Sequence, residues 1–122
     1  MDDATDSLTR RLFSRYSDSI NLILAALAQQ HRFKIMKTLL DQQSTFKELR
    51  FLTQLKKTAL AHHLKVLIDV RLIEKVKRGI YHITSDGKSI LHRIGMGYYS
   101  SNFRKISDLQ HHVDSITLNF SN

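Results

Sequence analysis

Residues 44–87 read STFKELRFLTQLKKTALAHHLKVLIDVRLIEKVKRGIYHITSDG, and the apolar spacing inside them changes from helical to alternating. Ser44 and Thr45 open a helix, because Thr45-Phe46-Lys47-Glu48 fits a capping box in which the Thr and Glu side chains satisfy each other's free backbone donors. Leu49 and Leu52 face inward from that helix. A few residues later a second helix runs from about Lys57 to Asp69, with Leu60, Leu64 and Leu67 spaced four and three apart as its buried stripe. The period then drops to two. Leu72–Lys77 and Ile80–Thr84 read as short strands, and Arg78-Gly79 between them reads as a tight turn with Gly supplying the positive φ.

Working outward, Leu8, Leu12, Tyr16 and Ile20 recur every four residues and predict an N-terminal helix running into the apolar stretch Ile20–Ala28. A further helix covers His31 to about Asp41, with Phe33, Ile35, Met36, Leu39 and Leu40 on its buried side. Past the hairpin, Ser85-Asp86-Gly87 starts a long helix with Leu91, Ile94 and Tyr98 on one face. Ile106, Leu109, Val113, Ile116 and Phe120 continue as a heptad-like seam, and Gly95 and Gly97 are where a kink or break is expected. Tyr98, Tyr99 and Phe103 read as a helix-packing cluster. There is no proline, and all four glycines come after residue 78, which favours closely joined helices in the first part of the chain. Helix, short turn, helix and hairpin is the order of a winged helix-turn-helix. The expected fold class is therefore mainly α with a small β-hairpin wing. Residues 1–19 form an N-terminal arm or helix, 20–86 the winged helix-turn-helix domain, and 87–122 a C-terminal dimerisation helix.

Charge is concentrated. The 122 residues carry a net +8, and residues 46–82 alone hold nine bases against three acids. Residues 1–9 hold three acids and no base. A central basic segment favours polyanions. No cysteine is present, which excludes disulfides, thiolate metal sites and cysteine nucleophiles. No secretory signal is read at the acidic N-terminus, and the longest apolar run, Leu22–Ala28, is far shorter than the roughly 20 residues a membrane span needs. A cytoplasmic protein with no membrane partner is expected.

Several short runs together resemble the ArsR-type winged-helix regulators. Leu27-Ala28 followed by Arg32, Ile35 and Leu39 looks like that family's entry into its second helix. Glu48-Leu49 looks like the start of the first helix of its reading motif, and His63-Leu64-Lys65-Val66-Leu67 is close to its recognition-helix signature. Leu72-Ile73-Glu74 and Tyr81-His82-Ile83-Thr84 match its wing strands. The resemblance covers roughly residues 20–92, and MarR-like and PadR-like winged helices share much of the same order. It implies a DNA-binding transcription regulator, with repression the expected sense. The family often has glycine where this chain has Gln54 and Arg71, so the helix before the wing is expected to end differently here. The family's cysteine metal-sensing motif is absent, with Phe46–Thr53 in its place.

The recognition helix can be read without the family. With Leu60, Leu64 and Leu67 inward, Thr58, Ala61, His62, Lys65 and Asp69 fall on or beside the outer face at 100° per residue. Thr58, Ala61, His62 and Lys65 are the candidate base readers, since short or polar side chains near the N-terminal half can approach base edges in the major groove. Lys56 and Lys57 stand at the positive end of the helix dipole, an arrangement that suits a docked phosphate; two solvated loop lysines are the alternative. Gln54 in the turn, and Lys75, Lys77 and Arg78 at the wing, complete the expected backbone contacts, in the minor groove or along the phosphates, although lysines also protect an edge hairpin. His63 borders the apolar stripe and reads as a structural hydrogen-bonder.

His111, His112 and Asp114, with His92 more distant, could hold a metal across a dimer, but no spacing demands one, and solvated helix histidines explain the same residues. No metal or other cofactor is therefore expected. Gly95-Met96-Gly97 lacks the strand and third glycine of a nucleotide loop. No nucleophile motif or paired carboxylate argues for an enzyme. The expected partners are double-stranded DNA carrying an inverted repeat and a second copy of the chain, paired through Leu8, Leu12, Ile20, Leu91, Ile94, Tyr98, Ile106, Leu109, Val113 and Ile116. The sequence names no small-molecule effector. The competing class is a winged helix used for protein–protein assembly in a transcription or chromatin complex, which an apolar outer face on the Lys57–Asp69 helix would favour.

Overall fold

The computed structural model of the chain describes residues 2–121, with side chains to residue 119, and the Phe120 side chain expected at the end of the seam lies outside the described residues. Two compact units are present, Met1–Lys88 and Ser89–Asn122. The first begins with α1 (Asp3–Ala28), whose N-cap Asp2 accepts a 2.7 Å bond from the Thr5 amide. Asp3 and Asp6 lie in the first turn, where the helix dipole favours carboxylates. Tyr16 leaves helical geometry (φ −113°, ψ 20°) and kinks α1, which buries only Ala26 and Leu27.

Helix α2 (Gln30–Asp41) starts where Gln29 accepts from the Arg32 amide at 2.9 Å. It buries Ile35, Met36 and Leu39, while Phe33 and Leu40, expected inside, are 45% and 46% exposed. Angular position explains the correction. Ile35, Leu39, Arg32 and Met36 span roughly 100° of the helix surface, and Leu40 and Phe33 fall roughly 40° and 60° beyond that arc.

A two-residue strand, β1 (Ser44–Thr45), precedes α3 (Phe46–Thr53). The capping box is formed in full: the Glu48 amide donates to Thr45 Oγ1 at 3.1 Å, and the Thr45 amide donates to Glu48 Oε1 at 3.2 Å. Leu49 is fully buried and Leu52 half-buried. Helix α4 (Lys57–Asp69) buries Leu60, Leu64 and Leu67 as expected. Strands β2 (Ile73–Val76) and β3 (Ile80–Ile83) pair antiparallel, Ile73 opposite Ile83 and Val76 opposite Ile80. Strand β1 adds to the far side of β3, giving the order β1-β3-β2. The hairpin tip is one short 3-10 turn, Lys77–Gly79, in which Arg78 (φ 65°) and Gly79 (φ 71°) are both left-handed.

The end of α4 corrects a sequence expectation. Arg71 takes φ 61°, the conformation glycine usually supplies. The Leu72 amide donates to Leu67 O at 3.0 Å and the Arg71 amide to Ile68 O at 2.9 Å. These two bonds form a Schellman motif around a left-handed residue, so the helix ends in the ordinary way with an arginine at the glycine position. The chain then turns through β2 and β3 to α5 (Ser85–Tyr99), capped by Thr84 Oγ1, which accepts from the Gly87 amide at 2.9 Å. Gly87 has no room for a side chain, since a Cβ there would lie 2.3 Å from Leu72 O and 2.8 Å from Ile83 Cγ1.

In the second unit the expected break at Gly95 or Gly97 does not occur. Helix α5 continues through both and ends at Tyr99, and α6 (Asn102–Ser121) follows. The break is made by Ser101, whose hydroxyl donates to Tyr98 O at 2.5 Å and accepts from the Arg104 amide at 3.0 Å. A Ser cap supplies the local bonds that glycine merely permits. Tyr98 and Phe103 pack edge to face at 5.9 Å across this turn, and Arg104 lies 4.5 Å from the Tyr99 ring.

Two substitutions test the junction after α4. Arg71→Gly relieves the left-handed strain and is expected to stabilise the chain by about 0.5–1 kcal/mol, a rise in Tm of about 3 °C. Gly87→Ala forces a methyl against the Leu72 carbonyl and is expected to cost about 1–3 kcal/mol. Thermal melts of both variants check the pair, and opposite signs are required.

Candidate nucleic-acid interface

Helix α4 is two-sided. Leu60, Leu64 and Leu67 are at most 2% exposed, while Thr58, Ala61, His62 and Lys65 all stand in solvent. Lys56 is the N-cap, no side chain caps the helix, and no acid lies in its first turn. The free amides of that turn and the exposed Lys56 and Lys57 therefore make one end of the helix strongly electropositive. Lys65 Nζ pairs with Asp69 Oδ2 at 2.8 Å, so the one acid of the helix holds a candidate base reader. Both are largely exposed, and such an i,i+4 pair contributes only about 0.3–0.5 kcal/mol, little hindrance to its opening on a ligand.

Side chains from the neighbouring elements fix the approach to α4. Gln54 caps α3 in the left-handed region (φ 58°), and its Nε2 donates to Phe51 O at 2.6 Å. Arg50 Nε donates to Leu55 O at 3.3 Å, and Lys34 Nζ donates to Leu52 O at 3.1 Å. Lys47, Arg50, Phe51 and Gln54 form one exposed stripe of α3, with Phe51 80% exposed. Lys47 and Arg50 escaped the sequence reading, although their i, i+3 spacing with Gln54 at i+7 was there to be seen.

At the wing, Lys75, Lys77 and Arg78 are exposed. Lys75 Nζ lies 5.9 Å from the Tyr81 ring, and His82 Nε2 bonds Glu74 Oε1 across the hairpin. Of the residues named for pairing two copies, Leu8 and Leu12 on α1, Ile94 and Tyr98 on α5, and Ile106, Leu109, Val113 and Ile116 on α6 are exposed, whereas Ile20 and Leu91 are half-buried. Asp114 accepts from Gln110 Nε2 at 2.8 Å. Among the described residues no three His, Asp or Glu side chains are grouped to hold a metal ion. No helix among them is long and apolar enough to cross a membrane.

His63 is half-buried, and Arg32 Nη1 lies 2.9 Å from its Nδ1. Burial holds the imidazole below its ordinary pKa, and the Arg32 guanidinium, His31 and His62 add to the shift. The proton is therefore bound more weakly in the folded chain than in the unfolded one. The contribution to stability is full above the unfolded value of about 6.5 and is lost as pH falls toward the lowered folded value. Melting curves between about pH 8 and pH 5 should show this loss. His63→Asn, which keeps an acceptor near the Nδ1 position without titrating, is expected to flatten it.

With this geometry established, similarity to known proteins can be placed on it. Residues 23–75, from the end of α1 into β2, match the bacterial regulatory protein ArsR family. No curated protein sequence matches the chain. HlyU from Vibrio cholerae N16961 superposes with a TM-score of 0.58 at 25% identity, over 69% of this chain and 96% of HlyU. The transcriptional repressor BigR from Xylella fastidiosa gives 0.58 at 18% identity, over 76% and 98%. The homodimeric winged helix-turn-helix DNA-binding domain of Mb0332 from Mycobacterium bovis, a possible ArsR-family regulator, gives 0.56 at 18%, over 81% and 90%. Residues 23–75 are thus similar to the ArsR family of bacterial regulatory proteins, and the fold is the winged helix-turn-helix of these structures.

Proposed function

We propose that the chain is a cytoplasmic, non-enzymatic, homodimeric repressor that binds an inverted repeat in double-stranded DNA, with α4 in the major groove and the β2–β3 wing on the backbone or minor groove. The carrying observation is the polar outer face of α4, with Thr58, Ala61, His62 and Lys65 exposed opposite three buried leucines. An assembly module would present apolar groups there. Thr58, His62 and Lys65 reach base edges, Ala61 touches a thymine methyl, and Gln54, Lys56, Lys57, Lys75, Lys77 and Arg78 hold phosphates. The sense of regulation follows BigR, described as a repressor.

Pairing of two copies is supported by what one copy leaves uncovered. Helix α1 exposes Leu8, Leu12, Phe13 and Tyr16, and α6 exposes Ile106, Leu109, Val113 and Ile116. A helix that buries little of its own apolar face draws little stability from tertiary packing, so a second copy is the natural cover. In this reading residues 1–19 and 87–122 serve pairing, and 20–86 serve DNA. Mb0332, described as homodimeric, supports it.

Selection of bound duplexes from a random pool at fixed salt should enrich an inverted repeat with half-sites about one helical turn apart. Enrichment of no sequence would remove the reading. Lys57→Ala should weaken all duplexes alike and lower the slope of log affinity against log salt by about 0.9. His62→Ala should instead lose about 1–3 kcal/mol of discrimination at one or two base pairs per half-site. Light scattering at micromolar concentration should give twice the chain mass, and a clean monomer would remove the pairing.

A further inference from the structure

We propose that Arg32 and His63 form a proton-sensitive latch that positions the recognition helix, so that acidification removes sequence preference while leaving attraction to DNA; the proposal rests on the DNA-binding reading above. Arg32 sits where three elements meet. Its Nε donates to Ala26 O at 2.7 Å and its Nη2 to Ala25 O at 3.2 Å, both at the C-terminal end of α1. Its Nη1 reaches His63 Nδ1 on α4 at 2.9 Å. One guanidinium thus ties the end of α1 to the helix whose outer face carries the base readers.

The tie works in one protonation state only. A guanidinium has donors and no acceptor, so His63 Nδ1 must hold a free lone pair. A proton on Nδ1 would set N–H against N–H and cation against cation. The charged and titratable groups acting on the ring are Arg32 and His31 from α2 and His62 from α4 itself. The His31 and His62 rings each lie 5.7 Å from it. Helix α1 contributes the Ala25 and Ala26 carbonyls to Arg32, and no carboxylate is among the groups that shift the ring. Protonation therefore opens the latch. Arg32 keeps its α1 carbonyls, and α4 loses its fixed rotation against α2.

The direction of the effect separates this latch from bulk electrostatics. Positive charge gained by a chain as pH falls by itself tightens binding to any duplex. Base contacts need placement to within a fraction of an ångström, so a loosened α4 loses the difference between sequences first.

The test uses the full chain and two probes: the duplex enriched from a random pool at about pH 8, and a scrambled duplex of equal length and composition, each measured again at about pH 5.5, below the ordinary histidine value. The wild-type ratio of affinities is expected to fall about fivefold or more while affinity for the scrambled duplex rises. His63→Asn is expected to hold the ratio constant across the range. Arg32→Lys, which keeps the charge without the three-way fork, is expected to show a low ratio even at about pH 8 with circular dichroism unchanged. A wild-type ratio unchanged by pH, or an equal fall in His63→Asn, overturns the latch and leaves the DNA reading standing. A chain that prefers no duplex at about pH 8 overturns both.

Discussion

The peptide unit of Leu72 is the point at which the end of α4, the β2–β3 hairpin and the first turn of α5 are bonded together. Its amide closes the last turn of α4 on Leu67 O. Its carbonyl accepts from the Thr84 amide at 3.1 Å, with Thr84 Oγ1 at the same distance. Thr84 Oγ1 also lies 2.7 Å from Arg71 O and receives the Gly87 amide at the start of α5. The Leu72 side chain is fully buried. The C-terminal end of α4 is therefore joined to the hairpin by short backbone bonds inside the core. The left-handed Arg71 and the absence of a Cβ at Gly87 are the local conditions that this junction imposes on the chain.

Much of this fold is legible in the sequence because it is written as periodicity. The stripe Leu60, Leu64 and Leu67 and the Thr45–Glu48 box each carry a local signature, and both appear as read. Strand β1 does not, since two residues have no period and Ser44–Thr45 is a strand only because β3 lies beside it. Phe33 and Leu40 were misplaced because apolar character was allowed to widen a stripe that geometry keeps narrow. Gly95 and Gly97 misled in the opposite way. A glycine makes a break inexpensive but supplies nothing to hold it, and a Cβ at either position would meet nothing within 4 Å. The bonds that turn the chain come from Ser101.

The outer face of α4 is legible for the same reason as its inner face: one is the complement of the other. The supports of that helix are different. Arg32, Lys34 and Arg50 place their side chains on backbone carbonyls 5–18 residues away. Long-range contacts of a long flexible side chain leave no spacing to read. The sequence did assign His63 to the border of the core, and the structure adds the partner that gives it a role. The pair of Lys65 with Asp69 one turn on is, by contrast, what the i,i+4 rule predicts.

Helices α3 and α4 show how structure and function divide the demands on a helix end. Helix α3 has eight residues and a complete capping box, with Glu48 in its first turn and Arg50 in its last. Each element suits an isolated helix. Helix α4 has none of them: its N-cap is a lysine without a side-chain bond, and no charge favours either end of its dipole. A missing cap costs about 0.5–2 kcal/mol and an adverse terminal charge about 0.3–1. Three fully buried leucines contribute about 1.5–3 kcal/mol each, as an upper estimate, so the core side of α4 can carry those losses. The amides left bare at Lys56–Thr58 are then available to an anion, and in the proposed reading the lysines that disfavour the free helix favour the DNA-bound one. Adding an acidic cap would strengthen α4 alone and place a negative charge where a phosphate is expected to dock.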